Sequence, residues 1–243
     1  MLPFFYIPAY EKGQPEILLE EDSSRHIVQV LRMKTGESLQ LTDGKGHLLT
    51  AAILEDHKKK CRVKVENAAW HPPREKKVTI ALSLLKNANR FEWFLEKATE
   101  IGVSAIFPLL CERTEKQHFR QDRMQQLLIS AMLQSQQCWL PGLPPPIPLT
   151  KLIASAEPSM KYIAHCLEEE KKNLADTARN YDLARSREQG ADSGSLILIG
   201  PEGDFSPKEI SLAMQAGFIP VTLGATRLRS ETAGVVAAAL LCT

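Results

Sequence analysis

The spacing of apolar residues changes character near residue 72. Before that point they alternate with polar residues over short runs. Ser38-Leu39-Gln40-Leu41-Thr42 reads as a half-buried strand, and Asp43-Gly44 behind it is a hairpin signal. His47 to Leu54 and Cys61 to Val65 supply further strands, and Ser24 to Arg32 a short amphipathic helix or turn. Residues 1–72 therefore read as a small β-rich domain. His71-Pro72-Pro73-Arg74 follows as a linker. Beyond it the strands lose their alternation. Val78 to Leu85, Val103 to Leu110 and Met160 to Cys166 are apolar runs of the kind buried on both faces of a parallel sheet. Helical spacing fills the gaps. Asn89 opens an N-x-x-E cap, Phe91, Phe94, Leu95, Ala98 and Ile101 share a face, and Gly102 closes the helix. A second helix is predicted over Arg120 to Leu140, and Pro141 to Pro148 as an extended loop. Leu167 to Gly194 is polar and poor in core residues, so a surface excursion is expected there.

The last fifth of the chain carries the strongest pattern. Leu196 to Gly200 is a buried strand that ends in the turn Gly200-Pro201-Glu202-Gly203-Asp204. The next helix opens with Ser206 as N-cap, Pro207 at its first position and Glu209 completing a capping box. Ile210, Ala213 and Met214 form its inward stripe, and Gly217 ends it. A strand over Ile219 to Leu223 reaches a second glycine turn at Gly224, and an apolar helix starts near Glu231. Ligands bind at the carboxyl edge of such sheets. Gly200, Gly203 and Gly224 would let bare backbone approach a flat ligand there. Glu202, Arg227, Arg229, Ser230, Glu231 and Thr232 bring polar groups to the same two turns. The spacing is neither G-x-G-x-x-G nor a G-K-[ST] loop, and an acid at position 202 does not suit a phosphate cradle.

Bulk properties add limits. The 243 residues suffice for two modest domains. Thirty Lys and Arg stand against 29 Asp and Glu, so any nucleic-acid surface is a local patch. Residues 57–64, HKKKCRVK, hold five basic residues and no acid. They read either as a phosphate-contacting patch through Lys58, Lys59 and Lys60 or as a solvated hairpin tip. Five cysteines without C-x-x-C spacing read as reduced thiols, and no metal constellation is expected. No apolar run approaches the roughly 18 residues of a membrane helix, and no signal sequence is recognised.

Residues IGPEGDFSPKEI and VTLGATRLRSETAGVVAAAL resemble the two C-terminal motifs of the RsmE family of the SPOUT superfamily. These enzymes methylate N3 of a uridine in 16S ribosomal RNA. KATEIGVSAIFPLLCERTE and HIVQVLRMKTGESLQLTDGKG are similar to further segments of that family. Asp204 stands where the family pattern has glycine, Asn87 where most members have glycine, and Thr226-Arg227 departs from the usual Arg-Ile. The resemblance implies an α/β fold. A SPOUT-type parallel sheet with a C-terminal deep trefoil knot would occupy residues 73–243, after a PUA-like, RNA-gripping β-barrel over 1–72. It implies S-adenosylmethionine as cofactor, with Ile199, Gly200, Pro201, Glu202, Gly203, Leu223, Gly224, Leu228 and Thr232 at its site. It implies RNA contacts at Arg25, Arg32 and Arg227, a cytoplasmic homodimer, and a substrate within the small ribosomal subunit. Uridine N3 is a poor nucleophile until its proton leaves, so a base or an oxyanion-stabilising cation is needed. Arg229 is the expected cation or an RNA-phosphate ligand. Glu231, with Glu202 behind it, is the expected base, unless Glu231 only caps the last helix and Glu202 only braces its turn. Two other readings remain: a SPOUT enzyme with another RNA target, and a catalytically idle ribosome-assembly or RNA-binding module.

Overall fold

The alternating segments of the first third form one bent sheet. In the computed structural model, which describes residues 2–158, 160–168, 170–185 and 194–243, five strands pair there. They are β1 (Phe4–Tyr6), β2 (Glu16–Leu18), β3 (Ser38–Thr42), β4 (His47–Glu55) and β5 (Arg62–Trp70), in the order β1-β3-β4-β5-β2. β1 runs parallel to β3, and the other pairs are antiparallel. Alternation puts Leu39, Leu41, Leu49, Ala51, Ile53 and Val63 inside, where Phe5, Ile17 and Ile27 join them. Register shifts at Thr50/Ala51 and Ile53/Glu55 bend the β4–β5 ribbon. β5 runs five residues past the predicted Val65, because β4 offers pairing partners as far as His47. The segment predicted over 24–32 is α1 (Glu21–Arg25) continued by a π-turn, His26–Val30, that buries Ile27.

The chain divides into two compact units. The first contains Met1–Pro73 and also Met132–Leu140, and the second Arg74–Ala131 with Pro141–Thr243. The helix expected to reach Leu140 is α3 (Gln121–Gln134), which ends six residues early. Gln136 turns to φ 58°, and the following residues join the β3–β4 loop. The Gly46 N–H donates to Cys138 O at 2.8 Å, and the Leu140 N–H to Gly44 O at 2.9 Å. Gly46 has φ 95°, and a Cβ there would lie 2.7 Å from His71 O and from the Trp139 ring. Glycine is required at that position. Helical propensity over residues 135–140 loses to this backbone pairing.

The second unit is a seven-stranded parallel sheet, each strand hydrogen-bonded to its neighbour in the same direction. Its members are β6 (Lys77–Ser83), β7 (Ala105–Leu110), β8 (Ile147–Pro148), β9 (Met160–Ala164), β10 (Lys172–Asn173), β11 (Gly194–Ile199) and β12 (Ile219–Thr222). The order is β10-β12-β9-β11-β6-β7-β8. Helix α2 (Ala88–Ile101) is capped two residues before the predicted position. Asn87, not Asn89, is its N-cap and accepts the Asn89 N–H at 3.0 Å. Helix α4 (Leu149–Ala154) follows β8. The excursion expected over 167–194 holds β10 and α5 (Leu174–Arg185), so it belongs partly to the sheet; residues 186–193 lie outside the described residues.

Helices α6 (Pro207–Gln215) and α7 (Ser230–Cys242) complete the unit. From the β12 side the chain returns to lay α7 over β6 and β11 and against α2 and α5. That approach is close. A Cβ on Gly234 would sit 2.5 Å from Phe94 Cε2, and the Phe94 ring is fully buried. Gly234→Val is expected to destabilise the fold by about 3 kcal/mol or more, because neither the ring nor the helix has room to shift. A thermal midpoint within a degree or two of the parent protein would show that the contact is slack.

Candidate functional site

Three adjacent strands end at one edge. β12, β9 and β11 are neighbours, all parallel, so their carboxyl ends at Thr222, Ala164 and Ile199 open together. Two turns rise from that edge. The first follows β11 and enters α6 through the expected capping box: Ser206 Oγ accepts the Glu209 N–H at 3.3 Å, and Glu209 Oε2 accepts the Ser206 N–H at 2.8 Å. The second, Leu223 to Arg229, leads from β12 into α7. Between them lies a cavity of about 690 Å³, within the usual range for a small-molecule site.

Most of the sequence-derived residues meet at this cavity. Ile199, Gly200, Pro201, Glu202, Leu223, Gly224, Arg227, Leu228 and Arg229 all line it. Gly203, Glu231 and Thr232 do not line it. Gly203 faces outward, where an added Cβ would touch Arg113 Cδ at 3.6 Å. Glu231 is buried behind the wall, with Oε1 3.7 Å from Arg90 Nε, while its Oε2 has no hydrogen-bond partner among the described residues. The wall also includes residues the sequence did not disclose, chiefly Ala164, His165 and Cys166 at the end of β9, with Lys171 and Asp204. Only the strand order reveals that β9 stands beside β11, and strand order is not written in local pattern.

The first turn is held from several sides. The Arg113 guanidinium donates to Gly203 O at 2.7 Å, Glu209 Oε1 accepts the Glu112 N–H at 2.8 Å, and Glu202 Oε1 accepts the Lys86 N–H at 3.1 Å. Asp204 takes φ 63°, a left-handed conformation that aspartate tolerates better than most residues. Its Oδ2 accepts the Cys166 N–H and its Oδ1 the Phe205 N–H, both at 2.8 Å. Asp204 thus latches the β11 turn to the end of β9 across the cavity floor. Asp204→Ala is expected to weaken binding at this cavity about tenfold, the loss of one charge-assisted hydrogen bond. Asp204→Gly relieves the backbone but not the latch, so it should not restore affinity. Faster hydrogen exchange at the Cys166 amide in both variants would report the open latch, and unchanged exchange would refute it.

The second turn is open. Ala225 to Arg227 are exposed, and the backbone groups of 225–228 form no hydrogen bond with other described residues. They remain available to a ligand. Arg227 and Arg229 are exposed and have no ion-pair partner among the described residues. Ile199, Pro201, Val221, Leu223 and Leu228 give the cavity apolar lining, and Glu202, Arg227 and Arg229 give it polar lining. Burial pushes the Cys111 thiol up to about 12, and the Cys61 and Cys242 thiols to about 11. None of these three is a thiolate nucleophile near neutral pH.

Of the basic residues expected to meet RNA, all but Arg227 sit in the first unit, and acids answer two of them and two of their neighbours. Arg25 pairs with Glu21 at 2.7 Å, and Lys59 reaches the same Glu21 oxygen at 3.6 Å. Arg62 faces Glu16 at 3.8 Å, and Lys34 faces Asp56 at 3.6 Å. Lys58 and Lys60 are exposed, and Arg32 follows the π-turn at φ 57°. No helix is long and apolar enough to cross a membrane, among the described residues. Nor do these include a group of three or more His, Cys, Asp or Glu placed to hold a metal ion.

Comparison with known proteins gives consistent matches. A family model described as an RNA methyltransferase domain matches residues 72–242, and one described as an RNA methyltransferase PUA domain matches residues 19–66. The ribosomal RNA small subunit methyltransferase E of Mesomycoplasma hyopneumoniae is 30% identical over 177 residues, covering 70% of this chain and 71% of that protein. The crystal structure of a probable rRNA-methyltransferase from Porphyromonas gingivalis superposes with a TM-score of 0.84 at 38% identity, covering 98% of this chain and 95% of that one. The ribosomal RNA small subunit methyltransferase E of Neisseria gonorrhoeae, solved bound to S-adenosyl methionine, superposes with a TM-score of 0.81 at 28% identity, covering 98% and 96%.

Proposed function

Because this chain belongs to the ribosomal RNA small subunit methyltransferase E family, we propose that it methylates N3 of a uridine in 16S ribosomal RNA, with S-adenosylmethionine as cofactor. One observation carries the reading: the cavity at the carboxyl edge of β9, β11 and β12 combines an apolar lining with backbone groups of 225–228 and two arginine side chains, Arg227 and Arg229, that have no hydrogen-bond or ion-pair partner among the described residues. The apolar lining and the backbone groups suit an adenosine, and the arginines suit an anionic RNA substrate. Ile199, Pro201, Leu223 and Leu228 would flank the adenine, and the backbone of 225–228 would read its edge. The cofactor supplies a methyl group on an electron-poor sulfonium sulfur.

The chain's own residues must then handle the uridine. As the N3 proton leaves, negative charge spreads onto the neighbouring carbonyl oxygens. Arg229, a cation on the cavity rim with no ion-pair partner among the described residues, stabilises that charge. Glu202 stands on the same wall with Oε1 accepting the Lys86 N–H, which leaves Oε2 to accept the proton. Glu231, held behind the wall against Arg90, positions the start of α7 and with it Arg229. The same reading makes residues 1–72 a PUA-like RNA-gripping domain and the protein a cytoplasmic homodimer. It makes the C-terminal segment a trefoil knot, which the return of the chain from β12 to lay α7 over β6 and β11 supports.

The test is mass spectrometry of 16S ribosomal RNA nucleosides from cells with and without this protein. Loss of one 3-methyluridine on deletion, restored by the purified enzyme with S-adenosylmethionine, is expected. An unchanged nucleoside profile would sink the assignment.

A further inference from the structure

The first unit leaves one aromatic surface exposed. Trp70, at the end of β5, keeps 55% of its surface in solvent. It meets the half-buried Trp139 edge-on, with ring centroids 6.3 Å apart and planes at 78°. Both indole N–H groups are already spent on backbone: Trp70 Nε1 donates to Lys45 O at 3.2 Å, and Trp139 Nε1 to His71 O at 3.0 Å. The Trp70 ring is therefore fixed in place, and its outer face has only π surface to offer.

The ground under it is rigid. Asp43 Oδ1 accepts the N–H groups of Lys45 and His47, and its Oδ2 lies 2.8 Å from His47 Nδ1. Gly46 admits no side chain. Lys45 and His71 are exposed beside the ring, and Lys45 has no ion-pair partner among the described residues. At the lysine-rich tip Glu21 faces both Arg25 and Lys59, while Lys58 and Lys60 have no ion-pair partner among the described residues. The two surfaces are also well separated. Trp70 pairs with His47 at one end of the β4–β5 ribbon, and Arg62 pairs with Glu55 at the other, roughly 25 Å away at the rise of a strand.

We propose that the exposed face of Trp70, with Lys45 and His71 beside it, is a stacking site for an unpaired base of the substrate RNA. The inference rests on the reading of the protein as a uridine-N3 methyltransferase. N3 lies on the Watson–Crick edge, so the target uridine must be unpaired when it reacts. Its neighbours then lose stacking partners, and proteins recognise such bases with a fixed aromatic face and an adjacent cation. The aromatic face supplies affinity without regard to sequence, and Lys45 supplies a phosphate contact.

The test is the affinity of the full-length protein for a short labelled oligouridylate across a salt series, with S-adenosylmethionine affinity as the folding control. Trp70→Ala is expected to weaken oligouridylate binding about tenfold with no change in salt slope. Trp70→Phe should keep most of the affinity. Lys45→Ala should lower the slope by about 0.7, one phosphate contact to a single strand. Trp70→Ala binding as tightly as the parent would overturn the proposal. So would an altered sedimentation of the protein alone with RNA affinity intact, which would mark a protein interface instead. If the parent forms no 3-methyluridine while Trp70→Ala still weakens oligouridylate binding, the stacking site stands and the methylation reading falls.

Discussion

Gly224→Val is expected to cost at least about 3 kcal/mol of S-adenosylmethionine binding, roughly a hundredfold in affinity. Gly224 has φ 149°, where a branched residue is strained, and the space beside its Cα is open because nothing lies within 4 Å. That space is the cavity, which Gly224 lines. A valine would both distort the turn and fill part of the cavity. Calorimetry on a variant with parent-like circular dichroism decides the matter: unchanged affinity would place the adenosine elsewhere. Gly203 behaves differently. The sequence gives the two glycines equal standing, but a Cβ on Gly203 makes only an ordinary contact with Arg113, outside the cavity. Gly203→Ala should bind the cofactor like the parent.

Arg229→Ala should lower turnover by about 10²–10³ while leaving cofactor affinity nearly intact, the pattern for a donor that acts on developing charge. Its side chain is exposed at the rim and unpaired among the described residues, so removing it disturbs no folded contact. Arg229→Lys keeps the charge and should recover part of the rate. A fall in cofactor affinity matching the fall in turnover would assign Arg229 to the cofactor. Arg227→Ala serves as the comparison, because the two arginines share the rim.

The elements that were legible in the sequence are those whose signals are local. The capping box Ser206–Glu209 forms with both of its hydrogen bonds, and Gly102 closes α2 at φ 96°. Leu39 and Leu41 point inward as their alternation requires. What stayed hidden is non-local. His165 and Cys166 reach the cavity because β9 inserts between β11 and β12. Asp204 reads as a departure from a glycine pattern, and only its bond to Cys166 shows that the carboxylate holds the cavity floor. α3 stops short of Leu140 because a loop some ninety residues earlier claims the backbone that follows it. Trp70 passed without notice, since one aromatic residue at a strand end has no pattern.

That loop has a temporal consequence. Residues up to Pro73 leave the ribosome first, yet the piece that completes their unit, Met132–Leu140, is made about sixty residues later. At ordinary bacterial or eukaryotic synthesis rates the delay is about 3–12 s. During that interval the glycine loop at Gly44 and Gly46 lacks the strand-like partner it is shaped for. The nascent chain therefore cannot finish its amino-terminal half before α3 and the turn behind it have been translated, and cutting the gene at the proline linker would leave the amino-terminal half without a part it needs.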